Sequence, residues 1–120
     1  MPSSSQKSGQ RAEELAHDYL LSQGLSCLTR NYRCRRGEID LIMKEGEYIV
    51  FIEVRMRRSV RFGNAEESID WRKQQKIIAT ALHFLHAHRL NYSPVRFDVL
   101  TLPGNNDRTK IKWIRDAFTA

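Results

Sequence analysis

Apolar and polar residues alternate along residues 37–55, a pattern that predicts a β-hairpin. Two runs rich in Ile, Val, Leu and Phe flank a short segment of turn-forming residues. With Lys44 opposite Glu47 at the turn, Asp40 and Glu53 become diagonal neighbours on adjacent strands. One face of the hairpin is then almost wholly apolar and suited to a core: Ile39, Leu41, Met43, Tyr48, Val50, Ile52 and Val54.

The remaining pattern predicts helices and strands that alternate along the chain. Residues 10–23 have apolar residues at helical spacing, and Gly24 is a natural stop. The polar residues 1–9 are expected to form a disordered leader before a single domain over 10–120. The further elements are a strand over 25–32, a helix over 70–88, a strand over 95–102 and a short edge strand over 110–114. The order α-β-β-β-α-β-(β) predicts an α/β protein with a central mixed sheet flanked by helices.

Three acids, Glu38, Asp40 and Glu53, lie inside the hairpin strands, on the face opposite the apolar one. Clustered carboxylates repel one another and require a compensating cation. One candidate is a hard divalent metal, which prefers oxygen ligands. The equal alternative is a set of salt bridges at an exposed strand end, with Arg36, Arg55 and Arg57 as the partners.

The charge of the chain favours a polyanionic partner. Its 120 residues carry a formal net charge of +6, with 20 Lys and Arg, and the pI is about 9.7. Arginines and lysines flank the hairpin and open the second helix, and the predicted nucleic-acid contacts are Arg30, Arg33, Arg35, Arg36, Arg57, Arg58, Arg61 and Lys73. The alternative is a solvated basic surface. The sequence shows neither a membrane span nor a signal-peptide core, and its two cysteines form no disulfide framework, so a cytoplasmic protein is expected.

Several motifs together resemble a known family. Asp40 followed by "IEVR" on the next strand resembles the PD-(D/E)XK nuclease signature. The wider set appears in order between Gly9 and Leu102: "RAEELAHDYL", "RNYRCRRGEIDLI", "VFIEVRMRRSVRFGNAEESID", "RKQQKI" and "RFDVL". It is similar to the small bacterial YraN family of uncharacterised proteins, which is related to the archaeal Holliday-junction resolvases.

The resemblance implies a restriction endonuclease-like fold and a Mg²⁺ or Mn²⁺ site. Asp40, Glu53 and the carbonyl of Val54 match the metal ligands, and Glu13 matches an acid that resolvase-like members supply from the first helix. For Glu13 the equal alternative is a first-turn glutamate favoured by the helix dipole. Glu38 would be an outer acid or a partner for an arginine.

Arg55 stands where the nuclease signature has its lysine. Arginine keeps its charge at ordinary pH and is no base, but it can stabilise charge on a phosphate. Lys73 is a substitute for the motif lysine, or else an ordinary lysine on a helix surface. The leading hypothesis is therefore a metal-dependent endonuclease for DNA rather than RNA, acting on branched or structured DNA, with Asp40, Glu53, Arg55 and Glu13 as catalytic residues. Since such substrates have two-fold symmetry, a homodimer is an option.

Two other functions remain open from the sequence: a nucleic-acid-binding protein without catalysis, and a protein-interaction module. Trp71 and Trp113 are expected to pack in the core rather than stack on bases. Asp98 is expected either to pair with Arg96 or to cap the sheet end.

Overall fold

The computed structural model describes residues 4–56, 69–103 and 108–120. The elements in chain order are α1 (Ser4–Ser22), β1 (Ser26–Cys34), β2 (Gly37–Glu45), β3 (Tyr48–Met56), α2 (Trp71–Ala87), β4 (Val95–Leu102), a 3₁₀ turn (Arg108–Lys110) and β5 (Lys112–Phe118). The predicted element order is confirmed, and the final strand is longer than expected.

The first helix begins at Ser4, before the predicted start at Gln10. Extending an existing helix costs far less than starting one, so a helix can begin before its apolar pattern does. The predicted end of the helix is confirmed. Gly24 has φ 99°, and the amide of Leu25 donates to the carbonyl of Leu20 at 3.1 Å, as in a Schellman motif.

The five strands form one mixed sheet in the order β1-β2-β3-β4-β5. The β3–β4 pair is parallel, and the other neighbouring strands are antiparallel. The parallel pair is joined through α2, because parallel neighbours need a long crossover. The α/β architecture is as predicted and is consistent with a restriction endonuclease-like fold.

Each helix covers a different face of the sheet. The α1 side of the core contains Ala12, Ala16, Leu20, Leu25, Leu41, Met43, Val50, Ile52, Leu100 and Leu102. The α2 side contains Ile39, Ile42, Ile49, Phe51, Ile69, Ile77, Ala81, Phe84, Leu85, Phe97 and Val99. The result is a three-layer arrangement with a core on both faces of the sheet. None of the helices in the described parts of the chain is long and apolar enough to cross a membrane.

The hairpin register differs from the predicted one by two residues. Lys44 pairs with Ile49 rather than Glu47, and the pairs continue to Leu41 with Ile52. Gly46 has φ 60°, and such a residue favours a tight two-residue turn. An offset of two keeps the side chains of these paired residues on their predicted faces. The pairs end one residue short of Asp40 and Glu53, which the prediction had made diagonal neighbours and whose charges interact in the structure.

One residue of the predicted apolar face lies on the other side of the sheet. Ile39 packs with the α2 side of the core, whereas Leu41 packs with the α1 side. The alternation of β2 is thus interrupted at Asp40. The neighbouring strand changes side at the same level: Arg30 bonds to Glu14 of α1, and Tyr32 stacks edge-on against Phe84 of α2.

The residue between Arg30 and Tyr32 explains the interruption in β1. Asn31 has φ 55°, a left-handed conformation that asparagine tolerates better than most residues. The flanking pairs, Arg30 with Leu41 and Tyr32 with Ile39, set Asn31 beside Asp40. Both strands therefore leave regular geometry at the position that carries the candidate site.

Candidate metal centre at Asp40 and Glu53

Asp40 is held by the backbone of the neighbouring strand. The amide of Val54 donates to its carboxylate at 2.8 Å. The paired residues of the β2–β3 ladder end at Leu41 and Ile52, so beyond them this bond from the side chain joins the two strands. Asp40 is thus fixed at the end of the hairpin remote from the turn.

Asp40 and Glu53 form an electrostatically strained pair. Burial, together with the charge of Glu53, raises the pKa of Asp40 to about 7, and the charge of Glu13 acts in the same direction. The Val54 amide and the Lys73 ammonium oppose this rise. Burial also raises the pKa of Glu53, whose side chain is only 12% exposed. Both acids would gain free energy from a cation placed between them.

Lys73 brings a positive charge to this pair from α2. Its ammonium nitrogen lies 3.4 Å from Oε1 of Glu53 and lowers the pKa of Glu53 against the effect of burial. The start of the helix sets this position, because Asp70 caps α2 by accepting from the Lys73 amide at 2.9 Å. Lys73 therefore reaches the same carboxylate that the motif lysine would accompany.

The other two predicted acids lie at the periphery of the pair. Glu13 is half-buried on α1, and its charge raises the pKa of Asp40. Glu38 is exposed and accepts from Arg33 Nε at 3.0 Å. Of the two roles expected for Glu38, it takes that of a partner for an arginine, although its charge still raises the pKa of Glu53.

The donor set fits a hard cation with few protein ligands. In residues 4–56, 69–103 and 108–120, no group of three or more His, Cys, Asp or Glu side chains is arranged to hold a metal ion. Two adjacent carboxylates nevertheless suit Mg²⁺, which usually takes one or two carboxylates together with water and substrate phosphates. Asp40 and Glu53 would provide those two carboxylates, and Glu13 does not join them as a third. Arg55, two residues after Glu53, is half-buried on the same strand.

The predicted basic residues divide into engaged and solvent-facing ones. Arg30 is bound by Glu14 through two hydrogen bonds of 3.2 Å each, and Arg33 is bound by Glu38. Arg35 and Arg36 are exposed in the β1–β2 turn. Arg57, Arg58 and Arg61 lie outside the described residues.

Gly37, which follows the β1–β2 turn, packs closely against α2. A side-chain carbon at this position would lie 3.1 Å from the Thr80 hydroxyl and 3.6 Å from the Lys76 β-carbon, and its φ of 152° also favours glycine. Because Gly37 follows Arg36 directly, the turn arginines and the first two turns of α2 share one edge of the molecule. The turn that carries Arg35 and Arg36 therefore packs close to the part of α2 that carries Lys76.

Asp98 is the centre of a separate buried network. It is 1% exposed and accepts from Arg96 Nε and Nη2, from the Trp113 indole and from the Asp116 amide, at 2.8–2.9 Å. The predicted pairing with Arg96 is confirmed. Since all its neighbours are donors from β4 and β5, the role of Asp98 is to fasten the edge of the sheet.

The two tryptophans differ in environment. Trp113 packs against the α1 side of the core, as predicted. Trp71 is 71% exposed, so its prediction as a core residue is wrong. The buried stripe of α2 formed by Ile77, Ala81 and Leu85 continues backwards to positions 73 and 74, not to 71. That projection of the helical period was the signal that could have identified an exposed tryptophan.

Comparisons with known proteins identify the family. The model of an uncharacterised protein family, UPF0102, matches residues 12–102. A UPF0102 protein from Methylobacillus flagellatus is 54% identical over 112 residues, covering 93% of this chain and 96% of that protein. UPF0102 proteins from Legionella pneumophila (strain Corby) and Nitrosomonas europaea are 47% and 49% identical over 116 residues, each covering at least 96% of both chains. The family indicated by the sequence motifs is confirmed, and this chain belongs to UPF0102, the YraN family of uncharacterised proteins.

Proposed function

We propose that this protein is a metal-dependent endonuclease that hydrolyses phosphodiester bonds in DNA, with branched or otherwise structured DNA as its substrate. The observation that carries the proposal is the half-buried pair of Asp40 and Glu53, with the ammonium of Lys73 3.4 Å from Glu53. Burial that raises the pKa of both acids costs stability, and such costs cluster at functional sites. A purely structural pair has no need of two adjacent carboxylates.

The residues of the pair have distinct roles in this proposal. Asp40 and Glu53 would hold Mg²⁺ or Mn²⁺ through carboxylate oxygens, and the Val54 carbonyl and Glu13 would be further ligands. When bound, the cation polarises the scissile phosphate and lowers the pKa of the attacking water. The Val54 amide keeps the Asp40 carboxylate in place, so that its oxygens need little reorganisation.

Arg55 and Lys73 act on the scissile phosphate and the attacking water in this proposal. Arg55 follows Glu53 by two residues on β3 and stabilises the charge that develops on the phosphate oxygens. Lys73 takes over the position of the motif lysine and orients the attacking water beside Glu53. Lysine can do this where arginine is less suited, because its ammonium is a compact charge on a flexible stem.

The substrate is proposed from the charge distribution. Arg35, Arg36 and the lysines of α2 form a basic edge beside the carboxylate pair, and such an edge binds phosphates in a salt-dependent way. The edge could thus bind phosphates that neighbour the one at the carboxylate pair. The +6 charge of the chain supports the same choice of partner, and a cytoplasmic location fits a protein that acts on DNA.

A cleavage assay tests the proposal. Wild-type protein is incubated with labelled four-way junctions, linear duplex and single strands, with Mg²⁺, with Mn²⁺ and with EDTA. The proposal predicts metal-dependent cleavage that is abolished in Asp40→Asn and Glu53→Gln and retained in Glu38→Gln, an exposed acid on the same hairpin. Cleavage that persists in both site variants would come from a contaminant and would contradict the site.

The second candidate is a nucleic-acid-binding protein that keeps the fold without the chemistry. Arg55 favours it, because the motif lysine is absent from that position. Under this alternative the wild type binds junctions with a steep dependence on salt and cuts none of the DNAs at any metal concentration.

A further inference from the structure

Trp71 is a large aromatic side chain that the fold leaves in solvent. It opens α2 and is 71% exposed. Its position is two residues before Lys73, which contacts the carboxylate pair. Exposed tryptophans are costly and are concentrated where proteins meet a partner.

The surroundings of Trp71 are positively charged. It lines an open depression of about 470 Å³ together with Asp70, Arg72, Lys73 and Lys76. Three of these neighbours are cations. The single acid, Asp70, is engaged as the cap of the helix. An aromatic face next to several cations is the combination that binds single-stranded nucleic acid, because the bases stack and the phosphates pair with the cations.

We propose that Trp71 stacks on an unpaired base of the DNA while Arg72 and Lys76 bind the adjoining phosphates. The proposal rests on the function proposed above and narrows its substrate class. In a regular duplex every base is stacked on its neighbours, so Trp71 has a partner only where the base stack is interrupted. The substrate is therefore DNA with an unpaired nucleotide next to the scissile bond, as at a boundary between single and double strand, or with an unstacked base there, as at the branch point of a junction.

Tryptophan fluorescence provides a direct readout, because the chain contains two tryptophans. Trp113 donates its indole N–H to Asp98 at 2.8 Å and lies under the guanidinium of Arg115, 3.8 Å from the ring centre. Trp71 is exposed, and stacking on a base should quench its emission. The measurement uses the full chain in EDTA, so that no DNA is cut, with a four-way junction, a duplex carrying an unpaired nucleotide and a fully paired duplex.

We expect the four-way junction and the duplex with an unpaired nucleotide to quench the emission of wild type, and the fully paired duplex to quench it little. The variants Trp71→Ala and Trp71→Phe retain only Trp113, and their emission should not change in this way. Trp71→Ala should weaken binding of the unpaired substrates by roughly 5- to 150-fold, the range for one stacked base. Trp71→Phe, which keeps an aromatic face, should retain most of the affinity. Because the side chain is exposed, both variants should unfold at the same urea concentration as wild type.

Equal loss of affinity for paired and unpaired DNA in Trp71→Ala, or the absence of quenching, would overturn the stacking proposal. These failures are separable from failure of the proposed function. If Trp71→Ala binds and cuts junctions as wild type does, the nuclease stands and the stacking role falls. If the wild type binds none of the three DNAs, both proposals fall.

Discussion

The ammonium nitrogen of Lys73 lies 3.4 Å from a carboxylate oxygen of Glu53, although the two residues belong to a helix and a strand on either side of a long connection. The cap at Asp70 fixes where the helix begins, and the helix start decides which lysine reaches the strand. The contact therefore follows from tertiary packing and not from the local motif, whose lysine position holds Arg55.

Substitution of Lys73 tests whether this contact serves catalysis. Lys73→Met should lower kcat for junction cleavage by roughly 10²–10³-fold, as loss of a group that stabilises charge or positions water commonly does. Lys73→Arg should recover part of the loss, because the charge returns without the geometry of an ammonium. The measurement is steady-state cleavage with kcat and KM determined separately.

Lys76 provides the matched control for Lys73. It lies one helical turn further along α2 and faces the same depression, without a contact to Glu53 in the described structure. Lys76→Met should raise KM and leave kcat nearly unchanged. If Lys73→Met behaves in the same way, Lys73 only binds DNA and its catalytic role is wrong.

Asp40 should make the stability of the protein depend on pH. Its folded pKa of about 7 exceeds the ordinary value of 3.8, so the folded state keeps a proton that the unfolded state loses. This contribution to stability is present in full below about pH 4 and is lost as the pH rises towards 7. The variant Asp40→Asn has no carboxylate to ionise, so it does not lose this stability. Its free energy of unfolding at pH 8 should exceed that of wild type by on the order of 2–4 kcal/mol.

Urea unfolding in EDTA at several pH values measures this difference. The gap between Asp40→Asn and wild type should widen from pH 4 to pH 8. Glu38→Gln serves as the control, because Glu38 is an exposed acid on the same hairpin and should show no such widening. A constant gap for Asp40→Asn would mean that the carboxylate ionises normally in the folded state.

The exposed arginines of the β1–β2 turn should set the salt dependence of DNA binding. Replacing both Arg35 and Arg36 with Gln should reduce the slope of log K against log salt by about 2, since each neutralised phosphate contributes close to one. Arg30→Gln should change the slope less, because Glu14 already binds Arg30 through two hydrogen bonds. Filter binding at several salt concentrations tests this, and equal effects of the two changes would contradict the proposed DNA-binding edge.

Asp98 is predicted to matter for stability and not for metal binding. Asp98→Asn leaves Arg96 with Glu45, at 2.9 Å, as its charge partner and should cost about 1.5–3 kcal/mol of unfolding free energy, as loss of a hydrogen bond to a charged group does. Asp18→Asn, on the exposed surface of α1, should stay within about 0.5 kcal/mol of wild type. Urea unfolding measures both, and a small effect at Asp98 would show that the network is not a structural one.

Much of the fold was predictable because the pattern repeats with regular periods. The helical stripe of Ile77, Ala81 and Phe84 is buried as expected, and Gly24 ends the first helix in a left-handed conformation. The hairpin pattern already predicted that Asp40 and Glu53 lie near each other, and their charges do interact in the structure. The predicted position of the turn was wrong, since the segment from Lys44 to Glu47 is compatible with more than one turn.

The details of the site depend on features that lack a period. Asn31 interrupts the alternation of β1 through a single backbone angle, and Asp40 lies beside it on β2. Asparagine tolerates a positive φ but rarely requires one, so its presence in a strand does not reveal the interruption. The approach of Lys73 to Glu53 similarly depends on how α2 packs on the sheet. These are properties of tertiary structure.

The most direct test of the central claim is a calorimetric titration that measures Mn²⁺ binding by the full chain. The proposed function requires Mn²⁺ to bind at Asp40 and Glu53, so wild type and Glu38→Gln should bind with the same affinity, and Asp40→Asn and Glu53→Gln should lose that binding. Binding that is equal in all four proteins, or absent from the wild type, would contradict a metal centre at the Asp40 and Glu53 pair.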